Sequence, residues 1–426
     1  MIKQKTTIFY IFIAPILIFG LAASLPGCKE DPFKKVELEF WGVFDDSDIY
    51  QPLIDDFNQE FKHITINYYK KNYETYEKDL LEAMASGRGP DIYMIYHTWV
   101  PRYEDKLYGL PSNLMTLKEF QDSFVDVAYQ DFVVDNYIAA LPLSVDTLAL
   151  YYNKDIFNTV GIPQPPQTWE EFLDVVERIT TKDSRDNIIR AGAALGTARN
   201  VNRSTDIISL LMLQSGAQMI DEDKTKAIFN QSAGGFNPGQ RSFQFYVDFA
   251  NPLKDVYTWN TRMHYSIDAF YEGSLAMMLN YSYNLPTIRA RSPYLNFGVA
   301  PMPQISLEQG KVNYANYWGL TTSINSKSID EAWQFIVWLT KKENAQKYLE
   351  ASKKPTARRD LITWQRNDQD LGVFADQSLT ARSWYQVDNL AIEQYLADMI
   401  ESVVLGTATI KEAIDKTASQ VSLLMK

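Results

Sequence analysis

The segment Leu141–Val176 limits what this chain can fold into more than any other stretch. Within it, Val145–Tyr152 is an apolar run interrupted only by Asp146 and Thr147. It is too short for a helix, so it reads as one strand buried on both faces. A turn with Gly161, Pro163, Pro165 and Pro166 follows, and Thr168 then opens a helix, with Glu171 placed to complete a capping box. Trp169, Phe172, Leu173, Val176 and Ile179 share one face of that helix. Strand, stiffened turn and amphipathic helix make an α/β unit. Asp146 is the anomaly, because an unpaired carboxylate is costly in such a run. It is expected at the strand's entrance, facing a polar cleft. The alternative is a strand-end acid bonded to nearby backbone amides.

Upstream, the pattern is strand and helix in alternation. Val36, Leu38 and Phe40 alternate with Glu37 and Glu39, a half-buried strand that runs into Trp41 and the acidic loop Asp45, Asp46, Ser47, Asp48. Ser47 is a candidate cap for a helix whose face is Leu53, Ile54, Phe57 and Phe61. Ile64, Ile66 and Tyr68 alternate as a second strand, Tyr76–Ala85 reads as a helix with a glycine-rich stop, and Asp91–Tyr96 as a third strand. This order implies a parallel sheet covered by helices. Ligands of such sheets bind beyond the carboxyl ends of the strands, where the loops at Trp41 and His97 begin. Further on, Ser328 with Glu331, Thr340 with Glu343 and Thr409 with Glu412 have the spacing of capped helix starts. The turn Lys182–Asn187 reads as a solvated hairpin rather than a calcium loop. At 426 residues the chain exceeds one hydrophobic core, so two domains are expected. No clean linker separates them, which implies that the chain crosses between lobes more than once.

A formal net charge of −12 argues against nucleic acid as a partner and against electrostatic docking on anionic lipid. Lys3 and Lys5 precede an uncharged stretch, Ile8–Pro26, that ends at Cys28, the chain's single cysteine. This is a secretory signal; an uncleaved membrane anchor is the competing reading. A lone cysteine there excludes a disulfide framework and a cysteine-rich zinc site. His63, His97 and His264 have no metal-ligand spacing, and no phosphate-binding glycine loop or nucleophile elbow occurs. His97 reads as a surface histidine, with a ligand contact as the alternative. No cofactor or metal is expected. The enzymatic rival is a glycoside hydrolase or lyase working through two of Asp45, Asp46, Asp91 and Asp146.

The segment PLSVDTLALYYNKDIF with its Pro-rich turn and TWEEF resembles the extracellular solute-binding proteins of ABC importers, in the family that includes maltose-binding protein. FYEGSLAMMLNYSYNLPTI, GVAPMPQ, SINSKSIDEAWQFIVWLTKKENAQKYL and ADMIESVVLGTATIKEAIDKTASQV extend the resemblance, in order, over nearly the whole chain after Cys28. It implies an α/β, two-lobed periplasmic-binding-protein-like fold of type II, each lobe a mainly parallel sheet flanked by helices, with the ligand cleft between. One lobe would be residues 34–142 and 316–366, the other 143–315 and 367–426. The implied role is a monomeric, non-enzymatic binder that captures a sugar outside the cytoplasmic membrane and delivers it to the permease transmembrane subunits. LPGC resembles a bacterial lipobox, which implies a signal peptide over 1–27, a lipid on Cys28 and a membrane tether over 28–33.

The resemblance also implies site residues. Asp45 or Asp46 resembles an acidic sugar contact, and Asp146 corresponds to the carboxylate that opens the crossing strand. Tyr283 stands where a stacking Trp is common, and Trp384 matches another aromatic contact. Trp41, Tyr96, Trp99 and Trp318 are candidate cleft walls, although the family aromatic after the third strand falls at Ile95, a departure. Thr197–Asn200 lies in a variable contact loop. For each aromatic the alternative is ordinary core. Solutes other than sugars (a polyamine, an amino acid or ferric iron) stay open at this point. Tyr151 and Tyr152 superficially suggest iron, but adjacent strand residues point to opposite faces, so core packing is the better reading.

Overall fold

Two alternations of buried and exposed residues start the first lobe. Val36–Gly42 buries Leu38 and Phe40 and exposes Glu37 and Glu39, and Ile64–Lys70 buries Ile64 and Ile66. The computed structural model describes residues 35–232 and 234–425; the signal segment, Cys28 and its tether lie outside the described residues. Val36–Gly42 pairs in parallel with both Ile64–Lys70 and Ile92–Tyr96. The helices Ser47–Glu60 and Tyr76–Ala85 supply the crossovers, each burying an apolar stripe such as Leu53, Ile54 and Phe57.

The rest of the pairing sets a reversed strand inside each mainly parallel sheet. Trp318–Ser323 joins the first sheet antiparallel to Ile92–Tyr96, Leu107–Tyr108 and Leu141–Pro142. In the second sheet Ile188–Ala193, Leu275–Asn280 and Phe297–Ala300 share one direction, the first two paired side by side. Ala149–Asn153 lies antiparallel between Leu275–Asn280 and Phe297–Ala300. The cause is connectivity. Trp318–Ser323 and Ala149–Asn153 each follow a crossing from the other lobe, so each enters its sheet from the cleft side, against the direction of its neighbours.

The organising segment is also not one strand. Asp146–Thr147 pairs with Asn313–Asn316, which in turn pairs with Ala381–Arg382. Ala149–Asn153 then starts the second sheet. Between them Leu148 donates its backbone N–H to the Tyr314 carbonyl at 3.1 Å. The break coincides with a change of core. Val145 is buried with one apolar cluster, which also holds Leu38 to Leu143 and Ala315 to Ile362. Leu148 is buried with the other, which holds residues up to Met302 and then Leu371 to Val421. A strand serving two cores must be interrupted where it passes from one to the other. Tyr151 sits in the second core and donates its hydroxyl to the Tyr281 carbonyl at 2.7 Å.

Helix caps are realised unevenly. Thr409 and Glu412 form both halves of a capping box. Thr168 accepts from the Glu171 amide, but the Glu171 carboxylate accepts from Gln167 instead of closing the box. Ser328 makes no side-chain cap. Thr340 belongs to the preceding helix, where its hydroxyl donates to the Ile336 carbonyl at 2.9 Å. Asp46, not Ser47, holds the cap position of the first helix.

Candidate functional site

A cavity of about 600 Å³ opens between the two cores, within the size range of small-molecule sites. Its two walls differ in kind.

The first-lobe wall is aromatic. Trp318 starts its strand opposite Tyr96, in register at the cleft end of the sheet. Its ring meets those of Trp99 at 5.0 Å, Tyr96 at 5.2 Å and Phe44 at 5.4 Å, mostly edge to face, an arrangement favoured by ring quadrupoles. Tyr73 extends the cluster from Phe44, with centroids 5.7 Å apart. Phe44 and Tyr73 are 42% and 58% exposed, so their faces are open to a ligand. Asp45 lies behind this wall, buried, with its carboxylate taken by Lys354 Nζ at 2.6 and 2.7 Å and by the Tyr348 hydroxyl at 2.7 Å.

The second-lobe wall is mainly polar, with Tyr283, Pro286 and Leu390 as its apolar members. The Asp146 carboxylate accepts from the Thr147 amide at 2.8 Å, the Ser282 amide at 3.0 Å and the Ser282 hydroxyl at 2.7 Å. Burial pushes this carboxyl up to about 6, against the opposing pull of those donors. Tyr283 stacks on buried Tyr281, centroids 5.7 Å apart at 22°, and its hydroxyl accepts from Arg203 Nε at 2.7 Å. The Tyr281 hydroxyl donates to Asp206 at 2.8 Å. Glu393, on the helix Asn389–Val404, is pushed up to about 7, first by burial and then by Asp206, while Arg203 opposes the shift. The Asp206 carboxyl is raised by burial, with Arg203 opposing.

The walls also touch directly. Trp99 Nε1 donates to Asn389 Oδ1 at 2.9 Å, and Arg102 lies 3.4 Å from Asp388.

The cavity thus brings together Asp45, Tyr96, Trp99, Asp146, Tyr283 and Trp318 of the residues singled out in the sequence. Three others fall elsewhere. Asp46 is on the surface, where it pairs with Lys70 at 2.8 Å. Trp41 is buried in the first core, capped by Lys71 Nζ 3.6 Å from its ring centroid; strand alternation turns it off the cleft. Trp384 is 5% exposed within the second core and does not line the cavity. His97 is not a surface residue. It is buried, stacks on Tyr317 at 4.7 Å and bonds Asp131 at 2.9 Å. In the loop Thr197–Asn200, Asn200 bonds the Asn260 and Met263 carbonyls; Arg203, three residues on, lines the cavity instead.

Sequence reasoning missed Phe44, Tyr73, Arg203, Asn389 and Glu393. Only Phe44 and Tyr73 carried a sequence signal, as bulky rings in loops that directly follow strands. Among the described residues no group of three or more His, Cys, Asp or Glu could hold a metal ion, and no helix is long and apolar enough to cross a membrane.

Comparison with known proteins fits this geometry. The family model for bacterial extracellular solute-binding proteins matches residues 42–346. The multiple sugar-binding protein of Streptococcus mutans is 24% identical over 331 residues, covering 77% of this chain and 76% of its own. The galactooligosaccharide-binding protein of Bacillus subtilis is 23% identical over 434 residues, covering 97% and 96%. The crystal structure of the cyclic α-maltosyl-1,6-maltose binding protein from Arthrobacter globiformis superposes with a TM-score of 0.77 at 19% identity, covering 92% of this chain and 99% of that one. At that identity the structural likeness is one of fold.

Proposed function

Because the chain belongs to the bacterial extracellular solute-binding protein family, we propose that it captures a sugar or oligosaccharide outside the cytoplasmic membrane and hands it to an ABC permease. The observation that carries this reading is the pairing of walls. A sugar offers a patch of ring C–H groups and a rim of hydroxyls. The cluster of Phe44, Tyr73, Tyr96, Trp99 and Trp318 suits the patch. Asp146, Arg203, Asn389 and Glu393 suit the rim, as acceptors and donors. The sugar-binding relatives named above support the same choice.

The acids support binding over bond cleavage. Asp45 is neutralised by Lys354, and Asp146 has three donors on its carboxylate. Neither is a free nucleophile or a free base. In this reading the lobes are residues 34–142 with 316–366 and 143–315 with 367–426, a division supported by the two separate cores except at Leu143, Val145, Ala315 and Ala381, which pack in the first. The lobes close on the ligand by a hinge at the crossings. Cys28 is lipidated and tethers the protein as a monomer to the outer face of the membrane.

Isothermal titration of the chain, without its first 34 residues, against a panel of neutral and acidic oligosaccharides tests the reading. Micromolar or tighter binding to one member, with no turnover of it on prolonged incubation, is expected. Hydrolysis of the bound sugar would make the protein an enzyme.

A further inference from the structure

Arg203 is a cavity residue that a neutral sugar does not require. It precedes the helix Ser204–Gln214 with φ 60° and ψ 28°, a left-handed conformation unfavourable for any residue with a Cβ. Such strain persists only where the surroundings hold it. Here Tyr283 and Tyr281 hold it. Nε donates to the Tyr283 hydroxyl at 2.7 Å, and the guanidinium carbon lies 5.6 and 5.7 Å from the centroids of the two stacked rings. One of the five donors of the guanidinium is therefore committed. Among the described residues no protein acceptor takes the other four, and no carboxylate is within ion-pair distance. Asp206, the nearest candidate by chain position, accepts from Tyr281 instead.

Of the other charges lining the cavity, Glu74 and Lys353 are exposed at its edge, and those deeper in are held by neighbours. Lys354 is taken by Asp45, and Glu77 faces Arg102 at 3.6 Å and accepts from the Tyr103 hydroxyl. Asp206 and Glu393 act on Arg203 from beyond ion-pair distance, and its planar fork keeps four donors uncommitted among the described residues. Such a fork matches a carboxylate in two parallel bonds.

We propose that the ligand is an acidic sugar, and that Arg203, set by Tyr281 and Tyr283, is the residue that selects its carboxylate. The proposal rests on the sugar-binding reading. One guanidinium balances one carboxylate, whereas a phosphate ester near its dianionic state would call for a second cation, and Lys353, the other cation lining the cavity without an ion pair, is exposed at its edge. Glu393, on the same side of the cavity, does not oppose this. Its raised carboxyl is partly protonated at neutral pH, so it offers an O–H donor beside the anion part of the time.

The experiment is calorimetric titration of three matched sets at pH 7: digalacturonate, cellobiouronic acid and a glucuronoxylo-oligosaccharide; their neutral counterparts galactobiose, cellobiose and xylotriose; and glucose 6-phosphate with glycerol 3-phosphate. At least one acidic member is expected to bind ten or more times tighter than its neutral counterpart. Arg203→Gln should bring the two within about threefold, and Arg203→Lys, which keeps charge but loses the fork, should retain part of the preference. Melting curves of both variants establish that they are folded, and the wild-type preference alone tests the ligand class if they are not. Neutral sugars binding as tightly as acidic ones would overturn the proposal while leaving the sugar reading intact. So would an Arg203→Gln variant that lowers the melting temperature but keeps the preference, since Arg203 would then only balance Asp206 and Glu393. Selective binding of the phosphates would also overturn it. No binding by any member would sink the sugar reading as well.

Discussion

The two walls of the cavity are built from opposite materials, and they are held in place in opposite ways. The first-lobe wall is a mesh of rings, Phe44, Tyr96, Trp99 and Trp318, each supported by its aromatic neighbours. The second-lobe wall is held by hydrogen bonds, from Ser282 to Asp146, from Arg203 to Tyr283 and from Tyr281 to Asp206, with the two tyrosine rings stacked between the last two. Packing is non-directional and tolerates a ligand that slides, whereas hydrogen bonds fix position and identity. On the proposed reading the first wall supplies affinity and the second supplies selection. Each prediction below would break or sharpen that division.

The largest effect is expected at a residue that belongs to neither wall. Trp384 is buried in the second core, so Trp384→Ala should cost about 3–5 kcal/mol of stability and leave affinity unchanged in molecules that remain folded. Denaturant unfolding beside calorimetry measures both. A large loss of affinity without destabilisation would put Trp384 back in the site.

Next comes Asp146, as a matter of pH. Its carboxyl is held at about 6 in the folded protein, against about 3.9 when unfolded. Between those values the folded state binds the extra proton, so stability falls as pH rises from about 4 to about 6 and is flat on either side. The full shift corresponds to about 3 kcal/mol at most, reduced by whatever water reaches this half-buried group. Asp146→Asn cannot titrate. Subtracting its stability–pH curve from that of the wild type should leave a downward step in this window. An upward step would mean that the donors from Ser282 and Thr147 outweigh burial.

Trp318→Ala comes third. Losing roughly 100 Å² of contact with a sugar face, at about 25 cal/mol per Å², weakens binding by about 2.5 kcal/mol, or roughly sixtyfold. If the first wall supplies affinity without selection, the loss should be equal for every sugar that binds. A loss confined to one sugar would show that the aromatic wall also selects.

The division between walls also explains what could be read from sequence. Strand ends are legible because alternation and β-branching mark them, and Tyr96, Trp99 and Trp318 stand beside strand ends. Trp41 misled for the same reason: it sits near a strand end but on the face of the pleat opposite Leu38 and Phe40, under Lys71 and off the cavity. Arg203, Asn389 and Glu393 come from loops and helix starts whose direction is set by tertiary packing, and no periodicity marks them. The break at Leu148 was hidden because both halves of Val145–Tyr152 are apolar, and hydrophobicity does not record which of two cores a residue enters. Caps failed where the backbone found other partners, as at Thr340, whose hydroxyl turns back to Ile336.

The smallest expected effect is at the direct contact between the walls. Trp99 donates to Asn389, and Arg102 sits between Asp388 at 3.4 Å and Glu77 at 3.6 Å. These bonds join the walls at the cavity itself, so if the lobes hinge as proposed they must break for a ligand to leave. A neutral hydrogen bond is worth about 1 kcal/mol net, and a partly exposed ion pair about 0–1 kcal/mol. The double variant Asp388→Ala/Asn389→Ala should therefore raise the ligand dissociation rate by about five- to thirtyfold, with little change in association, because these contacts form only once the lobes have met. Stopped-flow dissociation into excess competitor reads this directly. Small-angle scattering of the ligand-free variant should also show a larger radius of gyration than the wild type, since the latch holds with or without sugar. Were the rate and the radius both unchanged, closure would depend on the ligand alone, and the two walls would communicate only through the sugar they share.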